Sequence, residues 1–349
     1  MRAIEAGDVV EYLREKGRIP RAKAARAEAM GGGVSNVVLR VEVEGEPPFV
    51  VKQARERLRT EMLWVSRLDR IWHETAALEL LAGLLPTGAV PRVLFEERDD
   101  FLFAMEHAPA GAVPWKQELL DGRADPEVAR RAGAILGAMH AATAGQPALA
   151  AAPLSETDLF DQLRIDPYYR TAARAHPDLA TTLDALIASM AVPGPTFVHA
   201  DFSPKNILVH DDGLMVVDFE TAHAGDPAFD LGFFTSHLIL KALRAGPGVG
   251  SYLDLARAFL DSYRDRSCAG IGDDLERRSV RHAAACVLAR VDGKSPVEYL
   301  DVPARGRARA LARDALRDGI DTWRELLDRA ARGMQTRLLS GPGDGGKPR

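Results

Sequence analysis

An α+β chain in two lobes, a small strand-rich one followed by a larger and mostly helical one, is what this sequence predicts. Three observations carry that expectation. Short runs of alternating apolar residues fill much of the first hundred positions. After Pro109 the texture turns to alanine-rich stretches with apolar residues at helical spacing. One strand pair, "FVHADFSPKNILVHDDGLMVVDFE" at 197–220, interrupts that helical part. At 349 residues the chain is long enough to bury a large core or to divide in two.

The strands come first. "NVVLRVEV" places Val37, Leu39, Val41 and Val43 on one face, and "PFVVKQA" follows a Gly-Glu-Pro-Pro turn. "RVLFEE" and "FLFAME" flank a turn at Asp99-Asp100. Between these pairs a helix is expected over about 67–85, stopped by Pro86. Later, Asp125 caps a helix with Pro126 at its first position, and Val128, Ala132, Ile135, Leu136 and Met139 form its buried stripe. Ser155 with Asp158 reads as another capped start, and Leu179, Leu183, Leu186, Ile187 and Met190 as a further stripe. These patterns set an N-terminal lobe at 1–107, a C-terminal lobe at 108–338 and a disordered tail at 339–349.

Composition excludes several classes. A net charge of −5 argues against nucleic acid as a partner, since phosphate backbones need a cationic surface. The basic residues from Arg305 to Arg332 alternate with Asp314, Asp318, Asp321, Glu325 and Asp328, as on a solvated helix face. Cys268 and Cys286 are the two cysteines; a single disulfide between them is conceivable, but no disulfide framework is implied and a reducing compartment fits. "MRAIEAGDVVEYLREKG" has no continuous apolar core of the signal-peptide kind, and no apolar run approaches a membrane span. The expectation is a cytoplasmic protein without a membrane partner.

Chemistry concentrates around the strand pair. Asp212-Gly213 is a tight-turn signal between "NILVH" and "LMVVDFE". Folding there brings Asn206 and Asp218 together at one end. Both offer oxygen ligands, which suit Mg²⁺ better than zinc. Asp201, on the loop leading in, could accept a proton from a hydroxyl while the metal holds a phosphate nearby. An ordinary surface hairpin with polar ends is the plain alternative, and one His-x-Asp alone would favour it. Four such positions at this spacing do not.

The spacing H-x-D-x-x-x-x-N followed by D-F-x resembles the aminoglycoside phosphotransferase and choline kinase superfamily, small-molecule kinases with a protein-kinase-like bilobal fold. The resemblance spans roughly 30–300 and includes "GDPAFDLG", with Asp226 and Asp230. It implies Asp201 as the catalytic aspartate, Asn206 and Asp218 as Mg²⁺ ligands, and ATP or GTP as the phosphoryl donor. His199 would organise the loop. It also implies a phosphate-binding lysine on a strand, Lys52, paired with a helix glutamate. Glu74 falls inside the apolar arc of Ile71, Thr75, Leu78, Leu81, Ala82 and Leu85, where a carboxylate should have a partner. A rim glutamate beside a solvated lysine is the bland alternative. "MGGGVSNVVLRV" would cover the phosphates, with Ser35 or Asn36 adding donors at its tip. Main-chain groups of Glu106 and Ala108, in "FAMEHAP", would meet the adenine.

Departures matter as well. Protein kinases carry arginine in the middle of His-x-Asp and a lysine two positions after the aspartate, where this chain has Ala200 and Ser203. Lys205 is then the candidate cation for the transferred phosphoryl group. Phe219 and Asp230 are only eleven residues apart with no Ala-Pro-Glu between them, which leaves no peptide platform and no protein substrate. A small hydroxylated acceptor of aminoglycoside, sugar or amino-alcohol type is expected. "VVKQARERLRTEMLWVSRLDRIWHETAAL" faintly resembles methylthioribose kinases, from which the hairpin departs. In "ARVDGKSPVEYL", Asp292, Lys294 and Glu298 either end a helix or line the acceptor site. Two other classes stay open: a pseudokinase that binds nucleotide without turnover, and a metallohydrolase using His199, Asp201, His210, Asp218 and His223.

Overall fold

The computed structural model describes residues 1–31, 36–55, 66–191, 194–267 and 273–339. Ser35, Cys268 and the tail from 340 onward lie outside them. The chain is α+β, as expected, and divides into two compact units. The first comprises Met1–Trp115, Ala142–Arg164 and Pro193–Gly225; the second comprises Lys116–Ala141, Ile165–Val192 and Asp226–Arg349.

In the first unit, β1 (Ala25–Ala29), β2 (Asn36–Val43), β3 (Phe49–Ala54), β4 (Val93–Glu97) and β5 (Leu102–Glu106) form an antiparallel sheet in the order β1-β2-β3-β5-β4. Successive side chains of a strand point to opposite faces. On one face of β3, Phe49 and Val51 join Leu39, Val41, Val43, Leu102 and Ala104 in a core closed by Val9, Tyr12 and Leu13 of α1 (Val9–Glu15). Gln53 points the same way, and its amide group bonds Ile4 N at 2.9 Å and the carbonyls of Arg2 and Asp100 at 2.7 and 2.8 Å. Lys52 therefore faces the other side, toward α2 (Arg70–Ala82).

Two strand sets complete this unit. β6 (Val113–Pro114), β8 (Ile207–His210) and β9 (Gly213–Val216) make a small sheet, while β7 (Thr196–Val198) pairs with β10 (His223–Gly225). His210 pairs with Gly213, so the hairpin turn is Asp211-Asp212, one residue earlier than Asp212-Gly213 predicts. Ser155 does not cap a helix either: the next helical turn starts at Asp158, after Thr157, and widens into π-helical turns over Asp161–Arg170.

The second unit is helical. It contains most of α3 (Pro126–Thr143), then α4 (Ala180–Met190), α5 (Ala228–Ala245), α6 (Val249–Arg266), α7 (Asp273–Asp292), α8 (Val302–Asp318) and α9 (Trp323–Leu339). Asp125 holds the start of α3 by accepting from Glu127 N at 2.8 Å. α5 is buried from Ala228 to Leu243, as a central helix must be when its neighbours surround it. Gly232 permits the close crossing with α7, because a Cβ there would meet Ser279 O and His282 Cβ at 2.6 Å. Among the described residues, no helix is long and apolar enough to cross a membrane.

Candidate active site

The β8–β9 register pairs Ile207 with Val216, and one step further Val217 N donates to Asn206 O at 3.0 Å. Asn206 and Asp218 thus leave the same end of the hairpin. The chain then turns through a left-handed residue on each side, Ala200 with φ +52° and Asp218 with φ +73°. Such a conformation costs a residue with a Cβ about 1–2 kcal/mol, so local bonds must hold it. At Ala200 they are visible. Its carbonyl accepts from Arg164 Nε at 2.7 Å and from Thr221 Oγ1 at 3.4 Å. His199 is fully buried and packs on the ring of Phe219 at 4.4 Å and edge-on to Phe202 at 5.8 Å.

Among the described residues, Lys52, Arg164 and Lys205 meet Glu74, Asp201 and Asp218 here. Lys52 Nζ donates to both Glu74 carboxylate oxygens, at 2.8 and 2.7 Å, and to Asp218 Oδ1 at 2.8 Å. Asp201 Oδ2 receives Lys205 Nζ at 2.8 Å, Asn206 Nδ2 at 3.0 Å and Arg164 Nη2 at 3.1 Å. Asp201 Oδ1 has no protein partner among the described residues and stays available. Lys205 also stands 4.0 Å from Asp218 Oδ2, which links the two groups.

The field follows from these contacts. Burial alone would discharge Lys52, but Asp218 and Glu74 outweigh it and hold the ammonium well above its ordinary range. Glu74 is wholly enclosed, and burial pushes it up to about 7 against the pull of Lys52. Burial opposes the charge of Asp218 as well; Lys52 and then Lys205 overcome it and keep that carboxyl well below the usual range. Asp201 is held low in the same way, by Arg164 and then Lys205.

The donor set can be tested against a hard divalent cation. Asn206 uses its amide hydrogens on Asp201 O and Oδ2, each at 3.0 Å, which aims its own carbonyl oxygen elsewhere. Asp218 Oδ2 accepts no hydrogen bond among the described residues. Two oxygens from adjacent strand ends fit Mg²⁺ chemistry. A site built from histidines does not form. Among the described residues no three His, Cys, Asp or Glu side chains come together to hold a metal, and His210 sits at the opposite, turn end of the hairpin.

The remaining expected residues are placed as follows. Glu106 ends β5; its N–H donates to Arg92 O at 2.9 Å and its carboxylate receives Arg92 Nε at 2.7 Å. Ala108 lies two residues on, its carbonyl against His107 Nδ1 at 2.5 Å. Asn36 Nδ2 donates to Glu220 at 3.0 Å and its Oδ1 accepts from Arg70 at 3.3 Å, so its side chain is tied into the fold. Ser35 lies outside the described residues. Asp292 bonds His176 at 2.9 Å and Arg309 at 2.6 Å twice, which makes it a helix-end brace. Arg164 is the residue that sequence reasoning passed over. Its signal was a lone cation in the run "LFDQLRI", between Leu163 and Ile165, where burial demands an anion.

Residues 26–279 match the phosphotransferase enzyme family, well over half of the chain. The chain belongs to that family. A curated relative, methylthioribose kinase of Exiguobacterium sibiricum, is 24% identical over 268 residues, covering 69% of this chain and 67% of the relative. Among solved structures, macrolide 2′-phosphotransferase of Brachybacterium faecium superposes with a TM-score of 0.52 at 20% identity, over 98% of this chain and 100% of that one. A choline/ethanolamine kinase family protein of Mesorhizobium loti gives 0.50 at 20% identity, over 96% and 95%. These likenesses speak to the fold, which is that of the protein-kinase-like phosphotransferases implied by the hairpin motif.

Proposed function

We propose that this phosphotransferase moves the γ-phosphate of ATP, or of GTP, to a hydroxyl of a small molecule. The observation that carries this reading is the division of labour between two carboxylates. Asp218 shares Lys52 with Glu74, whereas Asp201 is fixed by Asn206, Arg164 and Lys205 and keeps Oδ1 open. Lys52, pinned by Glu74, would neutralise the donor's phosphates. Glu106 and Ala108 main-chain groups would take the adenine edge, with Ser35 in the loop over the phosphates. Asn206 and Asp218 would hold Mg²⁺, which supplies charge neutralisation on the phosphates when bound.

The acceptor hydroxyl would donate to Asp201 Oδ1. As the oxygen bonds to phosphorus and the bond to the nucleoside diphosphate breaks, its proton passes to that carboxylate. Arg164 and Lys205 orient Asp201 through Oδ2 without blocking Oδ1. Lys205, half-exposed, would meet the moving phosphoryl group.

The relatives' names cover methylthioribose, macrolides and choline or ethanolamine. Those compounds, with aminoglycosides and simple sugars, define the acceptor panel. We place the reaction in the cytoplasm, where nucleoside triphosphate is plentiful, with neither membrane nor protein as partner. The test is calorimetry with Mg-ATP followed by an ADP-coupled screen of the panel. Binding with acceptor-dependent ADP release is expected. Binding without release on any acceptor would favour a nucleotide-binding pseudokinase, and no binding at all would sink both readings.

A further inference from the structure

The phosphotransfer reading leaves unused a set of cations in the second unit. Lys241, on the central helix α5, is 2% exposed. Its Nζ makes one long hydrogen bond, 3.4 Å to His237 O a turn earlier, and stands 5.2 Å from the centre of the Tyr299 ring. Among the described residues no carboxylate pairs with it. The charges that act on it, Lys116, Arg290 and Arg244, are all positive.

Two further donors end in the same region without partners among the described residues. Tyr299 Oη is buried with no hydrogen bond, and burial pushes the phenol up to about 12, so it keeps its proton at neutral pH. Arg290 spends Nη1 on Ser295 and on Tyr168 Oη at 3.4 Å, while its buried Nε bonds nothing. Exposure falls inward across the set: Arg244 is exposed, Lys116, Arg290 and Tyr299 are half-buried, and Lys241 is enclosed.

An unpaired cation inside a protein is expensive, and like charges around it add to the cost. A chain that needed only to fill space could use leucine or methionine at 241. The arrangement suits an anion instead: an ammonium, a hydroxyl donor and a guanidinium Nε, with no acid paired to them among the described residues. We propose that Lys241, Tyr299 and Arg290 form a binding site for the anionic group, carboxylate or phosphate, of a small-molecule ligand. An amine-rich ligand has the wrong sign for it. The site rests on residues of the second unit alone and stands whether or not the phosphotransfer reading holds.

The experiment uses the full chain and two probes, inorganic phosphate and malonate, with chloride as the ionic-strength control. Thermal shift and calorimetry should show saturable binding of at least one probe, since a ligand of the native state raises the melting temperature. Preference for phosphate or for malonate tells which anionic group the site takes. Lys241→Met and Tyr299→Phe should each weaken that binding tenfold or more. Lysine ¹³C NMR should show the Lys241 ammonium, lowered to about 7 by burial and its cationic neighbours, rising when the probe saturates. The proposal fails if neither probe binds saturably. It also fails if binding survives unchanged in both variants but is lost in Lys52→Met, which would put the anion on the other cluster.

Discussion

Lys52 and Lys241 are lysines of similar burial, 4% and 2% exposed, one in each compact unit. Lys52 sits between two carboxylates at 2.7 and 2.8 Å and is held charged. Lys241 has a backbone carbonyl, the face of the Tyr299 ring and three cations, and burial lowers it to about 7. The enclosure is nearly equal and the outcome opposite. What decides the charge of a buried lysine here is its partners rather than its depth. The first unit supplies its own counter-ions and so arrives preorganised; the second withholds them.

The largest expected effect tests the preorganised cluster through its open oxygen. Asp201→Asn keeps the shape and most of the hydrogen bonds but removes the proton acceptor. Turnover should fall by about 10²- to 10⁴-fold, the range for positioned acid–base groups. Mg-ATP affinity, measured by calorimetry, should hold within a few-fold, because Asp218 and Lys52 are untouched. Lost nucleotide binding with intact folding would mean that Asp201 belongs to the phosphate side instead.

The comparison itself is tested by making the same substitution at both lysines. Lys52→Met strands Glu74, wholly buried, and should destabilise by about 3–5 kcal/mol in urea unfolding. Adding Glu74→Gln should recover part of that loss. Lys241→Met removes a buried cation that no carboxylate pairs with among the described residues and should be neutral or stabilising. The sign of its pH dependence follows from linkage. Lys241 binds its proton near 10.5 when unfolded and near 7 when folded, so between these values the unfolded state carries more protons and stability rises with pH. Lys241→Met should flatten that rise. Equal losses at both positions would mean that depth, not partnership, is what matters.

How far this contrast could be read in advance differs between the units. Lys52 and Glu74 were legible because a strand and an amphipathic helix each show which way a residue faces. The hairpin was legible because its turn and alternation are local. Its turn slipped by one residue, since Asp211-Asp212 and Asp212-Gly213 differ little as local signals and the register decides. β1 and α1 were missed because "ARAEA" and "VVEYLRE" are short, and they are ordered by pairing with β2 and by packing on the sheet, respectively. Lys241 escaped for another reason. Its isolation is an absence of acids contributed by distant segments, and no local pattern encodes an absence. Arg164 lay between these cases, visible as a cation between Leu163 and Ile165, while Asp201, its partner, lies far along the chain.

The smallest predicted effect concerns Arg164, and it sharpens the account of how the first unit tunes its own charges. Arg164 reaches Ala200 O through Nε at 2.7 Å and Asp201 Oδ2 through Nη2 at 3.1 Å. One guanidinium therefore both braces a left-handed residue and sets the charge of the carboxylate next to it. Arg164→Gln can keep a hydrogen bond to the carbonyl while losing the positive charge. Burial already opposes ionisation of Asp201, and Arg164 is the foremost group opposing that. Removing it must raise the carboxyl, because burial then acts against a weaker positive field. Asp201 must be ionised to accept the hydroxyl proton, so the acidic limb of the rate profile should move upward in pH. At neutral pH, turnover should fall only a few-fold if the limb stays below 7. Arg164→Lys should restore the limb more than the brace, because it returns charge without the planar fork. A limb that stayed in place while the rate fell at every pH would show Arg164 acting on backbone geometry alone.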